Sequence, residues 1–296
     1  MKAATNHQYG GPEVLTVVEV DRPSVGPDQI LVAVRASAVT QGDRRMRAAD
    51  FPGMTALFGR LLIGVRAPRH AIGGSMFAGR VIAIGAAVTR FAVGDDVYGS
   101  VMHGAYAEQI AISERGSVAK MPAVSHAEAA AIPYGAGTAL TFLRDLAKIQ
   151  PGERVLVVGA SGGVGRMAVQ VAAHLGAEVT GVCSRDHELV RSLGAARTID
   201  YRKQDFTRGA ERWDVIFDTT EGDHFRRFRA ALTPKGRYLS PYLTARILWE
   251  MAVTAIAGGQ RAIVGVAQSS SEQLAELAEL VDAGAIRPVI AERFPL

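Results

Sequence analysis

One cysteine, Cys183, occurs in this chain of 296 residues. A single thiol excludes an intramolecular disulfide framework and any zinc site built from several cysteines. Cys183 closes an apolar stretch, so we interpret it as a small buried hydrophobic residue rather than a nucleophile. Any chemistry that this protein performs must therefore be sought among other residue types.

Long apolar runs and blocks of like charge are also missing. No uncharged stretch reaches the roughly 18 residues that a membrane-spanning helix needs, and the first residues lack the apolar core of a secretory signal peptide. The net charge of +4 comes from interspersed basic residues, which favours a solvated surface over a nucleic-acid interface. We therefore expect a cytoplasmic protein with neither a membrane nor a nucleic acid as partner.

The stretch from residue 155 to residue 176 carries the clearest pattern. Four aliphatic residues, 155–158, predict a strand buried on both faces, and the residues after the glycines follow a helical period that ends at Gly176. The turn between them leaves backbone N–H groups at a helix N-terminus, which favours an anion. A second apolar strand at 178–183 completes a βαβ unit. The alternative is a glycine turn with only a conformational role. The favoured prediction is a pyrophosphate of a dinucleotide bound by Gly159, Ala160, Ser161, Gly162, Gly163, Val164 and Gly165.

The residues after the second strand indicate which dinucleotide binds. An acidic side chain there would hold the ribose 2′-hydroxyl of NAD, whereas a hydroxyl and a cation accommodate the 2′-phosphate of NADP. Ser184 and Arg185 fit the phosphate and predict NADPH, with an ordinary solvated loop as the alternative. Asp186 follows them and favours NAD, unless it caps the helix expected from His187.

The sequence pattern changes near residue 121 and divides the chain into two parts. Short apolar stretches separated by glycine and proline predict an all-β, barrel-like opening, with helical turns and a mobile loop in the Arg-rich run from Asp43 to His70. Beyond about residue 121, strands alternate with helices, including a helix over 138–149, which predicts a doubly wound parallel sheet. Ligands bind at the carboxyl ends of such strands, so we expect Thr219 and Ser240 near the cofactor. A last helix should end at Gly284, and 287–290 should begin another strand.

Seven short motifs follow one another in a specific order, at 77–81, 88–99, 104–108, 137–139, 159–165, 193–195 and 199–201. Together they resemble the medium-chain dehydrogenase/reductases, specifically the zinc-independent quinone oxidoreductase branch. The resemblance implies an α/β protein with a GroES-like β-barrel catalytic domain over 1–122, to which 266–296 returns. It also implies a Rossmann domain that binds NADP over 123–265.

Zinc ligands are missing where the zinc-dependent members of this family have them. Thr40 stands in place of a cysteine, and Ser75 and Met76 in place of a His-Glu pair. A catalytic zinc needs three protein ligands, so we do not expect metal-assisted alcohol oxidation. A short-chain dehydrogenase would need Tyr-x-x-x-Lys, and no tyrosine of this chain has a lysine four residues on.

The resemblance also assigns site residues. It implies that Thr40 and Thr138 flank the nicotinamide and phosphates, and that Ser184, Arg185 and Tyr201 surround the adenosine 2′-phosphate. Thr40 departs from the asparagine that this branch often has there.

The implied activity is NADPH-dependent transfer of hydride to a small quinone or α,β-unsaturated carbonyl. Thr40 and Tyr134 are the candidate proton donors for that reaction. Family members are often dimers, which implies a homodimer.

The end of the chain departs from the family. Family members continue beyond 294–296 with a further helix and strand, so we expect the catalytic domain to be incomplete. The alternative to an enzyme is therefore an NADPH-binding sensor or scaffold protein without turnover.

Overall fold

The computed structural model describes residues 1–51, 55–222, 224–267 and 269–296. The chain folds into two compact units. The first comprises 1–51, 56–134 and 269–296, and the second comprises 52–55 and 135–268. The boundaries of the catalytic and NADP-binding domains, which we expect after residues 122 and 265, stay a prediction. None of the helices among the described residues is long and apolar enough to cross a membrane.

The first unit is built on antiparallel strands. Strands β1 (Lys2–Thr5) and β2 (Thr16–Glu19) pair with each other. A five-stranded sheet has the order β6-β3-β4-β5-β7. Its strands are β3 (Gln29–Ala38), β4 (Met76–Ile84), β5 (Asp96–Ser100), β6 (Gln109–Ser113) and β7 (Val118–Lys120). Alternate residues of β3, Ile30 and Val32, are fully buried, as expected for a sheet with one face on a core.

The first unit has four α-helices among its described residues, and three of them begin at capping side chains. They are α1 (Gln41–Ala48), α2 (Thr55–Ile63), α3 (His126–Ala130) and α9 (Ser271–Asp282). Thr40 and Ser125 each form a capping box, with Asp43 and Glu128, and the Ser270 hydroxyl accepts the N–H of Gln273. Helices α1 and α2 confirm the helical turns expected between 43 and 70, although residues 52–54 of that run lie outside the described residues.

The C-terminal segment belongs to the first unit. The buried Tyr98 hydroxyl of β5 donates to the carbonyl of Leu274 in α9 over 2.5 Å. The strand expected at 287–290 is wrong, because the described residues 283–296 contain no strand. Pro288 has no N–H to give to a ladder, which weakens that stretch as a strand.

The second unit is a six-stranded parallel sheet in the order β10-β9-β8-β11-β12-β13. Its strands are β8 (Arg154–Val158), β9 (Glu178–Cys183), β10 (Arg197–Asp200), β11 (Trp213–Asp218), β12 (Leu232–Ser240) and β13 (Arg261–Val264). Numbered from β8, this is the order 3-2-1-4-5-6 of dinucleotide-binding folds, with a reversal between β8 and β11. The prediction of a doubly wound parallel sheet is confirmed.

Helices connect the strands of the second unit. They are α5 (Gly163–His174), α6 (His187–Ser192), α7 (Phe225–Phe228) and α8 (Ala245–Ala257). Helix α4 (Ile132–Ala139) leads into this unit and continues as a π-helical segment over Leu140–Leu146. The helix predicted to begin at 138 therefore begins at Ile132, because Pro133 is tolerated in the first turn of a helix.

Candidate functional site

The parallel register brings the carboxyl ends of the central strands to one edge of the sheet. Val158 of β8 lies beside Val182 of β9 and Asp218 of β11, and Cys183 lies beside Asp200 of β10. The predicted site residues that end or follow these strands and β12 are Gly159, Ser184, Tyr201, Thr219 and Ser240. The structure therefore gathers them where such sheets bind ligands.

The glycine turn between β8 and α5 presents an open helix N-terminus. Gly162 is the N-cap residue, and no side chain caps the helix. The N–H groups of Gly159 and Ala160 both donate to the carbonyl of Val182 over 3.0 Å, which anchors the turn to β9. Since the first N–H groups of a helix have no intrahelical acceptor and carry partial positive charge, this turn suits a pyrophosphate.

The glycines of the turn have different reasons to be glycine. A Cβ on Gly165 would lie 2.1 Å from the carbonyl oxygen of Gly159, so this helix can approach the turn only without a side chain. Gly159 has φ +80°, and a Cβ there would lie 2.7 Å from the Thr219 hydroxyl. A Cβ on Gly163 would have no neighbour within 4 Å. The fold therefore explains Gly159 and Gly165 but leaves Gly163 for a ligand to explain.

The segment after β9 holds the predicted 2′-phosphate residues. Ser184 is half-buried and Arg185 is exposed. Asp186 has φ +59° and occupies the N-cap position of α6, but its side chain caps nothing. The alternative in which the Asp186 side chain caps α6 is therefore wrong. Its carboxylate instead accepts a hydrogen bond from Nη2 of Arg166 over 3.0 Å.

A second arginine lies at this corner. Arg202 Nε donates to Oδ1 of Asp200 over 3.2 Å, and its Nη2 donates to the carbonyl of Ser184. Hydrogen bonds from the Arg202 guanidinium and backbone hold the pKa of Asp200 below its usual range. Tyr201 beside it is 57% exposed. Sequence reasoning missed Arg166 and Arg202, although Arg202 adjoins the predicted Tyr201.

A buried carboxylate organises the segment after β11. Asp218 is fully buried and accepts hydrogen bonds from the hydroxyls of Thr220 (2.6 Å) and Tyr238 (2.9 Å). His224 Nδ1 lies 2.7 Å from the same carboxylate. Burial, followed by the charge of Asp218, raises the pKa of Tyr238. The network holds Thr219 in place, where its hydroxyl donates to the carbonyl of Val158, and the turn at Gly159 lies against it.

Two further predicted residues are buried in the second unit. The Ser240 hydroxyl accepts the N–H of Tyr242 over 3.2 Å. Thr138 lies in α4, and a Cβ on Gly135 of the same helix would lie 3.0 Å from the carbonyl oxygen of Gly163. Helix α4 therefore packs against the start of α5, which places Thr138 one turn along from that contact.

The predicted proton donors meet in the first unit. The Thr40 hydroxyl donates to Oδ2 of Asp43 over 2.6 Å and accepts the Asp43 N–H over 3.1 Å. A Cβ on Gly42 would lie 3.4 Å from both the Thr40 hydroxyl and Cε2 of Tyr134, so these side chains flank one glycine. Burial and the charge of Asp43 raise the pKa of Tyr106.

The part of the chain that the structure describes does not offer the ligands of a catalytic zinc. Among the described residues, no group of three histidine, cysteine, aspartate or glutamate side chains could hold a metal ion. Such a zinc needs three ligands of these kinds.

Two family descriptions match the chain. The alcohol dehydrogenase GroES-like domain matches residues 26–134, and the zinc-binding dehydrogenase family matches residues 193–296. The first match confirms the expected GroES-like domain.

Two named proteins are similar to this chain over its whole length. It is 32% identical over 336 residues to the mitochondrial NAD(P)H oxidoreductase RTN4IP1 of Homo sapiens, covering 100% of this chain and 83% of that protein. It is 28% identical to the 2-methylene-furan-3-one reductase of Solanum lycopersicum, covering 100% and 72%.

Solved structures match equally widely. The quinone oxidoreductase of Coxiella burnetii is 28% identical, with a TM-score of 0.85 over 98% of this chain and 90% of that one. The quinone oxidoreductase of Escherichia coli, solved with NADPH, is 25% identical, with a TM-score of 0.82 over 98% and 91%.

Proposed function

Because the chain belongs to the medium-chain dehydrogenase/reductase superfamily, in its quinone oxidoreductase-like branch, we propose that it is a zinc-independent, NADPH-dependent reductase. Its substrates are a quinone or an α,β-unsaturated carbonyl. The observation that carries this proposal is the uncapped N-terminus of α5 behind a turn in which Gly163 faces open space. Relatives that reduce quinones and an enone-like furanone support the choice of acceptor.

In this proposal the second unit binds the cofactor. The turn from Gly159 to Gly165 holds the pyrophosphate through backbone N–H groups. Ser184 and Arg185, with Tyr201 beside them, receive the adenosine 2′-phosphate, and Arg185 supports NADPH because no described residue forms an ion pair with it. The other predicted cofactor contacts are Thr138, Thr219 and Ser240. When bound, the nicotinamide supplies the hydride.

The first unit supplies the proton in this proposal. A quinone or enone accepts hydride without a metal, and the resulting anion then takes a proton from water or from the hydroxyl of Thr40 or Tyr134. In the second case water returns the proton to that hydroxyl. The Thr40 hydroxyl already donates to Asp43, so it must rotate away from that carboxylate before it can donate elsewhere. Tyr134 is the second candidate donor, and its side chain lies against the same glycine, Gly42.

The glycine turn gives a direct test. Gly163→Ala adds a methyl group that has no protein neighbour within 4 Å, so the free protein should unfold at the wild-type temperature or slightly above it. If a pyrophosphate binds there, the same methyl group obstructs it. We expect the Kd for NADPH to rise about tenfold or more, which is the effect of losing about 1.4 kcal/mol of binding free energy.

The matched control is Gly209→Ala, because a Cβ there would also be unobstructed, with its nearest neighbour at 3.9 Å. This variant should bind NADPH like the wild type. Titrations would follow nucleotide fluorescence, and a panel of quinones and enones would then be added to the complex. Equal NADPH affinity of Gly163→Ala and wild type would overturn the proposed site. NADPH binding without turnover of any acceptor would instead support a nucleotide-binding sensor.

We also propose a cytoplasmic homodimer. The single cysteine supports a reducing compartment. Strand β13 ends the sheet order, and helix α8 before it exposes Trp249 and Ile256 by 67% and 90%. An edge strand beside exposed apolar side chains favours association. Light scattering coupled to gel filtration would contradict this proposal if it gave a monomer mass.

A further inference from the structure

Arg166 and Asp186 form an ion pair at the corner where the proposed 2′-phosphate would bind. Nη2 of Arg166 lies 3.0 Å from Oδ2 of Asp186, and the side chains are 16% and 38% exposed. We propose that Arg166 determines the preference for NADPH over NADH, because it neutralises the Asp186 carboxylate, which would otherwise repel a 2′-phosphate. This inference rests on the proposed function of the second unit as a dinucleotide-binding domain.

The position of Asp186 creates the problem that Arg166 solves. Asp186 directly follows Ser184 and Arg185, and its side chain is not used to cap α6. A free carboxylate after the second strand accepts the ribose 2′-hydroxyl of NADH and repels the phosphate of NADPH. Paired with a guanidinium, the same carboxylate presents little net charge to the nucleotide.

The charges around the corner support this assignment. Asp186 is paired with Arg166, and Asp200 is paired with Arg202. Arg185 has no ion-pair partner within the described parts of the chain. The sum is one uncompensated positive charge beside Ser184. Loss of Arg166 would cancel that charge and leave a free carboxylate two residues from Ser184.

Packing alone does not account for Arg166. Its Nε is buried and has no hydrogen-bond acceptor among the residues that the structure describes. Burial of an unmatched donor is unfavourable, and an apolar side chain of similar length would avoid that penalty. The guanidinium is therefore better explained by what its Nη2 does to Asp186 than by how its stem fits.

Arg166 connects the proposed pyrophosphate site at the start of α5 with the proposed 2′-phosphate site after β9. Arg166 lies in the first turn of α5, and its N–H donates to the carbonyl of Gly162 over 2.9 Å. The helix that offers its N-terminus to the pyrophosphate thus also carries the side chain that controls the charge at the 2′ position.

A double-mutant cycle tests this role. Arg166→Met should raise the Kd for NADPH about tenfold, whereas the Kd for NADH should change less than about threefold, since only NADPH brings a second anionic group to Asp186. Adding Asp186→Asn to that variant should restore the NADPH Kd to within about threefold of wild type. Arg166→Lys should keep most of the preference, because it keeps the charge.

The control is Arg154→Met, which removes an arginine paired with Asp214 at 3.9 Å at the start of β8, the opposite end of the sheet. It should leave the NADPH to NADH ratio unchanged. Equal weakening of both nucleotides by Arg166→Met, or no recovery in the double variant, would overturn the inference while leaving the proposed function standing. If Arg166→Met does not fold, Asp186→Asn alone still decides. It leaves the Arg166 charge without its partner and should strengthen NADPH binding relative to NADH, and an unchanged ratio would overturn the inference. Failure of the wild-type chain to bind either nucleotide would overturn both proposals.

Discussion

The Thr40 hydroxyl and the Asp43 carboxylate form a reciprocal pair, in which Thr40 Oγ1 donates to Oδ2 over 2.6 Å and accepts the Asp43 N–H over 3.1 Å. The Thr40 N–H also donates to that oxygen over 2.8 Å. These bonds satisfy backbone donors at the start of α1. Thr40, which the family resemblance places beside the nicotinamide, is therefore also the N-cap residue of α1.

Replacement of Thr40 separates these two roles. Thr40→Ala should lower the free energy of unfolding by about 1 kcal/mol, because α1 loses its cap. Thr40→Ser keeps the hydroxyl and should stay within a few tenths of a kcal/mol of wild type. Urea unfolding and steady-state kinetics on the same variants would measure both effects. A fully active Thr40→Ala would eliminate Thr40 as proton donor and favour Tyr134.

Asp96 predicts a pH dependence of stability in the first unit. Its hydrogen bond from Arg80, with a further contribution from His126, holds the pKa of Asp96 at about 2. A depressed folded-state pKa stabilises the protein above the unfolded pKa near 4 and loses that contribution as the pH falls towards 2. Asp96→Asn should therefore lower stability at pH 7 by about 1 kcal/mol or less, since the carboxylate is partly exposed.

The difference between wild type and Asp96→Asn should shrink as urea unfolding is repeated at acidic pH. Asp21→Asn is the control, because Asp21 is exposed and should show little effect. A constant difference between wild type and Asp96→Asn from neutral to strongly acidic pH would contradict the assignment of this ion pair.

Tyr98 should tie the C-terminal helix to the first unit. Burial raises the pKa of its hydroxyl, which stays protonated and donates to the Leu274 carbonyl. Tyr98→Phe should cost about 1–2 kcal/mol of unfolding free energy, as for the loss of one buried hydrogen bond. Hydrogen exchange should quicken in α9 in particular. Unchanged exchange there would show that other contacts hold the helix.

Asp218 should matter more to stability than any one of its partners. Asp218→Ala removes the acceptor of the buried Tyr238 hydroxyl and of the half-buried Thr220 and His224 side chains. It should cost about 3 kcal/mol or more, whereas Tyr238→Phe should cost about 1 kcal/mol. Thermal unfolding and NADPH titration should both respond to Asp218→Ala, because the network positions Thr219 beside the glycine turn. Similar costs for the two variants would mean that the network is not cooperative.

Local pattern was enough to predict much of the second unit. The strand, glycine turn and helix over 155–176 combine a sharp change of period with a capping glycine, and each signal is contained within a few residues. The same local rules failed at 287–290, where Pro288 removes a ladder donor, and at the start of α4, where Pro133 is tolerated in the first turn of a helix.

The ion pairs of the site could not be predicted in this way. Arg166 and Asp186 are 20 residues apart, and they meet only because α5 lies beside the end of β9. The partner of Asp186 is hidden for the same reason, since local sequence shows that Asp186 stands at a cap position but not that Arg166 engages its side chain. Pairings of this kind depend on tertiary placement, which a periodicity argument does not contain.

The return of α9 to the first unit makes that unit discontinuous, with the whole second unit inserted between its parts. During synthesis the ribosome releases the segment from 269 onwards only after the nucleotide-binding sheet has emerged. Until then the Tyr98 hydroxyl lacks its acceptor, the Leu274 carbonyl. The first unit therefore completes its folding last, even though most of it is synthesised first.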